Sequence, residues 1–400
     1  MDTDLNSVLG QSVLEHFSGL DDPRVARAQR HSLLAIVTIA LCGVICGAES
    51  WVEIAEFGRI KADWFATFLE LPYNIPSHDT FGRVFAQISA TQFEACFAEW
   101  MQAVVAALPP PGAQDLPVIA LDGKTVRRSH HRSAGQNALH LVSAWASARR
   151  LTLAQVAVAE KSNEITAFPT LLRQLDVREC LVTIDAMGCQ REIAQQIVDQ
   201  EADYVLALKE NQETLYEEAS DTFALAEASN FAELAPAAWS HWRDVTKGHG
   251  RLEIREHWIL SDPAILSYLQ EAVPWPALAA IGLVKAERRM SSGATTAGAP
   301  PQVEREARYY LLSTALDARR FGEAVRAHWG IENQLHWLLD VAFREDESRV
   351  RIGYAAENFA VLRRIALHLL KQETSARCGI RGKRLKAGWS TDYLLQILSG

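Results

Sequence analysis

The sequence predicts an α/β protein in which a mixed sheet with helices on both faces follows an all-helical segment. Three observations predict it. Helical periodicity stops at the proline run within "LPPPGAQDLP" (108–117), strand and helix patterns alternate from 117 to 209, and Asp122 and Asp185 each close a short apolar strand.

Before the prolines the chain reads as helix throughout, which sets residues 1–108 apart as a helical N-terminal domain. Its most apolar stretch, "LLAIVTIALCGVICGA" (33–48), spans 16 residues and contains Thr38, Gly43 and Gly47. A bilayer needs roughly 20 apolar residues, so this is a buried core helix and no membrane is expected. Further on, "IPSHDTFGRVFAQI" (75–88) opens with Ser77 as a helix cap, places Phe81, Val84, Phe85 and Ile88 on one face, and turns Thr80 and Arg83 outward. Such a helix after a short turn suits a helix-turn-helix reader of DNA; a plain packing helix fits the same pattern.

After the prolines the elements follow in order. "PVIALD" is a strand; "HLVSAWA" and "LTLAQVAVA" form a hairpin about residues 147–150; "ITAFPTLLRQL" is a helix despite Pro169. "CLVTID" is a second buried strand, then come the helix "QREIAQQIVDQ" and the strand "YVLALK". The order β-β-β-α-β-α-β is that of the ribonuclease H-like fold. A β-rich insertion, about 236–318, follows with strands in "GRLEIREHWIL", "PALAAIGLVKAERRM" and "ARYYLLST", the last two separated by the flexible "SSGATTAGAPPQ". The long helix of "RRFGEAVRAHWGIENQLHWLLDVAF" and the amphipathic "AAENFAVLRRIALHLLKQ" complete a catalytic domain over 117–400, with C-terminal helices from about 320.

Composition fits this picture. The 400 residues are 48% hydrophobic and 22% charged, as in an ordinary globular chain. The six cysteines lack CxxC spacing and no secretory signal opens the chain, so reduced thiols and a cytoplasmic site are expected. A net charge of -9 argues against a polyanionic partner, but basic residues cluster in "GKTVRRSHHR", "KAERR", "RVRIGY" and "RCGIRGKRLK". Phosphate binding is local, because screening confines it to about 10 Å, and the clusters favour a polyanionic substrate.

Asp122 and Asp185 lie 63 residues apart, and neighbouring strands would bring their carboxylates to one sheet edge. Two anions at short range recruit a cation, and carboxylate oxygens suit Mg²⁺ or Mn²⁺. Glu332 is the natural third ligand of such a site, which holds two ions in phosphodiester displacement. Glu332 belongs to a stripe with His328, His336 and Asp340 at four-residue steps. One Zn²⁺ does not easily span His328, Glu332 and His336, which spread over about 12 Å of helix axis at a rise of about 1.5 Å per residue. Trp329, His336 and Trp337 are read as packing or hydrogen-bonding groups.

The blocks "IALDGKTVRRS", "EKSNEITAFPTLL", "VTIDAMGCQ", "ALKENQ", "GHGRLEIRE" and "RAHWGIENQLHWLLDVAFREDESRVR", in this order, resemble those of the H-repeat-associated or ISAs-type insertion-sequence transposases, and "IPSHDTFGRVF" resembles their associated N-terminal domain. The resemblance runs from about residue 10 through nearly the whole chain. It implies a DDE transposase with a ribonuclease H-like core, Asp122, Asp185 and Glu332 being the catalytic and metal-binding acids. It further implies double-stranded DNA as partner, at the element's terminal inverted repeats and at the target, and a homodimer on DNA. Where the wider group carries tyrosine, arginine and lysine around the third acid, this chain has Val325, His328 and Leu339. Lys124, Arg127 and Arg128, just past the first aspartate, are the expected phosphate contacts, with Arg326, His328 and Asn333 as substitutes near the third acid. The alternative is a domesticated DNA-binding protein that no longer cuts.

Overall fold

Apolar side chains occupy every turn of Leu33–Ile45 and leave only Leu34 partly exposed, so this helix, α1, forms the centre of a core. Ser32 caps its first turn by accepting from the Ala35 amide. The structure, a computed structural model, describes residues 13, 15–108, 116–130, 135, 137–158, 164–248, 251–290 and 302–399. The three prolines, the "EKSN" of the second block and most of "SSGATTAGAPPQ" lie outside the described residues. No described helix is long and apolar enough to cross a membrane.

Around α1 pack α2 (Trp51–Ile60), the short α3 (Ala62–Phe65), α4 (His78–Gln87) and α5 (Ala90–Ala107). Ser77 caps α4, and the buried Phe81, Val84 and Phe85 form the face read from the sequence. Residues 66–77 separate α3 from α4, more than the three or four residues of a helix-turn-helix, so α3 and α4 do not form the two helices of that motif. The helical part shares its core with the C-terminal helices. Phe81, Phe85, Phe93 and Phe97 share one hydrophobic cluster with Leu335, Leu339, Phe343, Phe359 and Leu362 from the other end of the chain. Asn358 reinforces the junction by donating to the carbonyls of Phe85 and Ile88 at 2.8 and 3.0 Å. The proline run divides the chain, whereas the core joins its two ends.

Nine strands form one sheet in the order β3-β2-β1-β4-β5-β9-β8-β7-β6. The first half holds β1 (Val118–Thr125), β2 (His140–Ala146), β3 (Leu151–Val158), β4 (Leu181–Ile184) and β5 (Asp203–Leu208), with α6 (Glu164–Arg173) and α7 (Arg191–Asp199) as crossovers. β1 pairs antiparallel with β2 and parallel with β4, and β5 continues in parallel, which is the ribonuclease H-like arrangement. The insertion extends this sheet instead of forming a separate unit. Its β9 (Gln302–Leu312) pairs antiparallel with β5, followed outward by β8 (Ala280–Met290), β7 (Arg251–Leu260) and β6 (Trp239–Gly248). Strand β6 escaped the sequence reading because "WSHWRDVTKG" is an edge strand with no buried residue, and its charges suit an edge. Two further helices, α8 (Glu213–Ala228) and α9 (Pro263–Ala272), were also not anticipated.

On α5, Glu94 accepts from the Gln155 amide, and burial pushes its carboxyl up to about 8 from the ordinary 4.5. A raised carboxyl favours the neutral form in the fold, so its destabilising effect grows as pH rises from about 4.5 toward 8. Glu94→Gln is therefore expected to raise the melting temperature at pH 8 and to leave it unchanged at pH 4.5. Thermal unfolding of both proteins at the two pH values checks this.

Candidate active site

Register brings the two aspartates together. Val118 lies opposite Leu181 and Leu121 opposite Ile184, an offset of 63 residues, so the next step along the parallel pair places Asp122 beside Asp185. Asp122 does not end its strand, contrary to the sequence reading. β1 continues to Thr125 because its other edge keeps pairing with β2, Asp122 facing Ser143 there. Asp185 does end β4. It caps the turn Ala186–Gly188 by accepting from the amides of Met187 and Gly188 at 3.2 and 3.4 Å. Gly188 cannot be replaced without movement, since a Cβ would stand 2.2 Å from a methyl group of Ile184. Residues of "ALKENQ" hold the same turn, Asn211 donating to the Ala186 carbonyl at 2.7 Å and Gln212 to that of Cys189 at 3.0 Å.

The third acid comes from a helix with a defect. α10 (Ala318–Ile331) widens into a π turn over Glu332–His336 and resumes as α11 (Trp337–Phe343). Such turns recur at functional sites. The polar stripe faces the catalytic strands: His328 Nδ1 lies 3.0 Å from the Thr183 hydroxyl of β4, His336 Nδ1 lies 3.4 Å from Asp122 Oδ2, and Asp340 pairs with Lys124 of β1. Glu332 is the exposed member, and its carboxylate accepts no hydrogen bond among the described residues. The stripe is thus a buried polar seam that also carries the third acid.

Asp122, Asp185 and Glu332 line one cleft of about 250 Å³, together with Thr183, Lys209, Arg308, His328 and Trp329. Burial, and then the Asp185 charge, push the Asp122 carboxyl up to about 7. Asp185 is also raised, by burial and by Glu164. Burial lowers His328 to about 4 and His336 to about 3, so both imidazoles are neutral and add no positive charge to the acid cluster, beside which Lys209 and Arg308 line the cleft. Hard oxygen donors converging on one cleft fit a divalent ion. Among the described residues no three His, Cys, Asp or Glu side chains are gathered tightly enough to enclose one.

The expected phosphate contacts divide into two groups. Arg127 is exposed beside Asp346 at 3.2 Å, and Arg128 is exposed with its carbonyl accepting from Arg351. Lys124 departs from the expectation: it is 8% exposed, and its ammonium is taken up by Asp340 and Glu345. His328 likewise turns to Thr183, Arg326 pairs with Asp244 at 2.7 Å, and Asn333 donates to the Trp329 carbonyl of its own helix. Leu339, at the usual lysine position, is buried, and Val325, at the usual tyrosine position, is 8% exposed. Trp329 and Trp337, expected as packing or hydrogen-bonding groups, are 40% and 57% exposed.

Sequence reasoning missed several residues at or beside the site, Thr183 and Arg308 among them. Lys209 lines the cleft just beyond β5, exposed and without a carboxylate partner within ion-pair distance among the described residues. Glu164 is a fourth acid, buried and paired with His140, and Gly123 makes room for it: a Cβ there would lie 2.5 Å from Glu164 Oε1. Lys209 and Glu164 sit in motif blocks already singled out, but no spacing rule points to them.

Comparison with known proteins decides the family. A family described as "Transposase DDE domain" matches residues 113–369, and one described as "DDE_Tnp_1-associated" matches 14–101. The chain belongs to the DDE transposase family. The transposase is 37% identical over 390 residues to "Putative protein YbfL" of Escherichia coli K12 and to "H repeat-associated putative transposase YhhI" of the same strain, covering 98% of each chain in both cases. It is also 41% identical over 302 residues to an "Uncharacterized protein in dhlA 3'region" of Xanthobacter autotrophicus, covering 75% of this transposase and 94% of that protein. DDE transposases in general use divalent metals and act on DNA, so both expectations carry over to this transposase in that general form.

Proposed function

We propose that this transposase cleaves DNA at the ends of its own insertion sequence and transfers the freed 3′-hydroxyl ends to target DNA. The observation that carries the reading is the juxtaposition of Asp122 with Asp185 on adjacent parallel strands, with Glu332 on the same cleft. In this reading the three carboxylates hold Mg²⁺ or Mn²⁺, two ions in all, and the metal supplies activation of a water or hydroxyl and stabilisation of the leaving oxygen. Asp185 is presented by its capped turn, Asp122 is oriented by neutral His336, and Glu332 closes from the helix. Arg127 and Arg128 receive phosphates, with Lys209 beside the acids. Binding is expected to weaken steeply with salt, as phosphate contacts release counterions. Paired element ends need two active sites, which makes a homodimer on DNA the working assembly.

A labelled duplex carrying the flanking element's end, incubated with Mg²⁺, Mn²⁺ or EDTA, tests the reading. Nicking at the element boundary that needs metal and disappears in Glu332→Ala is the expected result. Binding without cutting, equal in both proteins, overturns it in favour of a catalytically silent DNA binder.

A further inference from the structure

Buried charge runs along the seam between β1 and the helix that carries the third acid. Two residues beyond Asp122, the Lys124 ammonium is shared between Asp340 of α11 and Glu345, the latter at 2.9 Å. Glu345 is fully buried and also faces Arg364 at 3.1 Å. Asp122 meets His336 on the same helix. Positions 122 and 124 of one strand are thereby tied to 336 and 340 of one helix, with Glu332 a single π turn away.

We propose that Lys124 is a positioning residue, which fixes the Glu332-bearing helix against β1 through Asp340 and Glu345 and so sets the separation of Asp122 and Glu332 across the cleft. Leu335, Leu339 and Phe343 bury the same helix in the core, but apolar contact is non-directional and allows a helix to shift on a sheet. Ion pairs with few geometries fix a register. Two of the three ammonium donors have carboxylate partners inside the protein, so a DNA phosphate would have to break this seam to reach Lys124. The inference rests on the transposase reading of the three acids.

Two variants of the full chain test it. In Lys124→Met, Glu345 keeps Arg364 as its partner. In Asp340→Asn, a half-buried carboxylate is replaced by an isostere that folds without a buried unpaired anion. Mn²⁺ binding, read by electron paramagnetic resonance of the free ion, is expected to weaken about 10- to 100-fold in both, the usual cost of losing a group that orients ligands. Mg²⁺-supported nicking should fall further than Mn²⁺-supported nicking, while duplex binding and its salt dependence stay at the wild-type level. Unchanged Mn²⁺ affinity in folded Asp340→Asn overturns the proposal. So does a Lys124→Met protein that binds metal normally but binds DNA more weakly with a salt slope reduced by about one, which makes Lys124 a phosphate contact. A wild-type protein that neither binds Mn²⁺ nor nicks any element end fails at the transposase reading itself, and this proposal falls with it.

Discussion

Asp185→Ala is expected to lower metal-dependent nicking of an element end by roughly 10³-fold or more, in line with the loss of a group that stabilises developing charge. The substitution removes an acid whose orientation is set by the turn it caps, through the amides of Met187 and Gly188. The variant keeps β4 and its neighbours, so circular dichroism and duplex binding should match the wild type. Burst measurements on a pre-cut end separate strand transfer from first-strand nicking, and both should be lost, since one cleft serves both steps in the proposed reaction. Retention of nicking in this variant would sink the assignment of the site.

Arg364→Met is expected to have the largest effect on stability. The guanidinium is fully buried, holds Glu345 at 3.1 Å and donates to the Ala360 carbonyl. Breaking a buried pair on one side costs about 3–5 kcal/mol where the remaining charge is left unpaired, and Glu345, which keeps Lys124 at 2.9 Å, places the loss toward the lower end. Burial by itself would raise the Glu345 carboxyl from the ordinary 4.5; the Lys124 and Arg364 charges outweigh it and hold the group well below that value. A depressed carboxyl contributes stability that is present in full above the unfolded value, near 4.5, and is lost as pH falls below it. The deficit of Arg364→Met should therefore be larger at pH 7 than at pH 3.5. Urea unfolding at the two pH values measures the difference, and an equal deficit at both would show that packing, not charge, carries the interaction.

Much of the architecture is legible along the chain because its period announces it. The core strands β1 to β5, the helices α6 and α7 between them, and the helix α4 with its Ser77 cap all follow from apolar spacing. What escaped has a common cause. Strand β6 lies at an edge and buries no residue fully, so its alternation is not marked by apolar residues, and α8 and α9 lay in the stretch read for its strands. The site shows the same division. Asp122, Asp185 and Glu332 are conspicuous as acids next to apolar runs or on a helical stripe. Lys209 reaches the cleft from the end of β5, and Glu164 comes near the two aspartates from α6, only because the fold brings these elements to the same sheet edge.

The sequence by itself determined the alternation of strands and helices, the 63-residue offset that a parallel pair turns into adjacency, and the stripe that carries Glu332. These are local or periodic properties, written in neighbouring residues. Tertiary structure alone decided that the helical N-terminal part shares its core with the C-terminal helices, that the insertion extends the sheet, and that Lys124 faces inward to Asp340 and Glu345 while Arg127 stays in solvent. Such outcomes depend on which faces meet across hundreds of residues, and a charged side chain reads the same in sequence whether its partner is a phosphate outside or a carboxylate within.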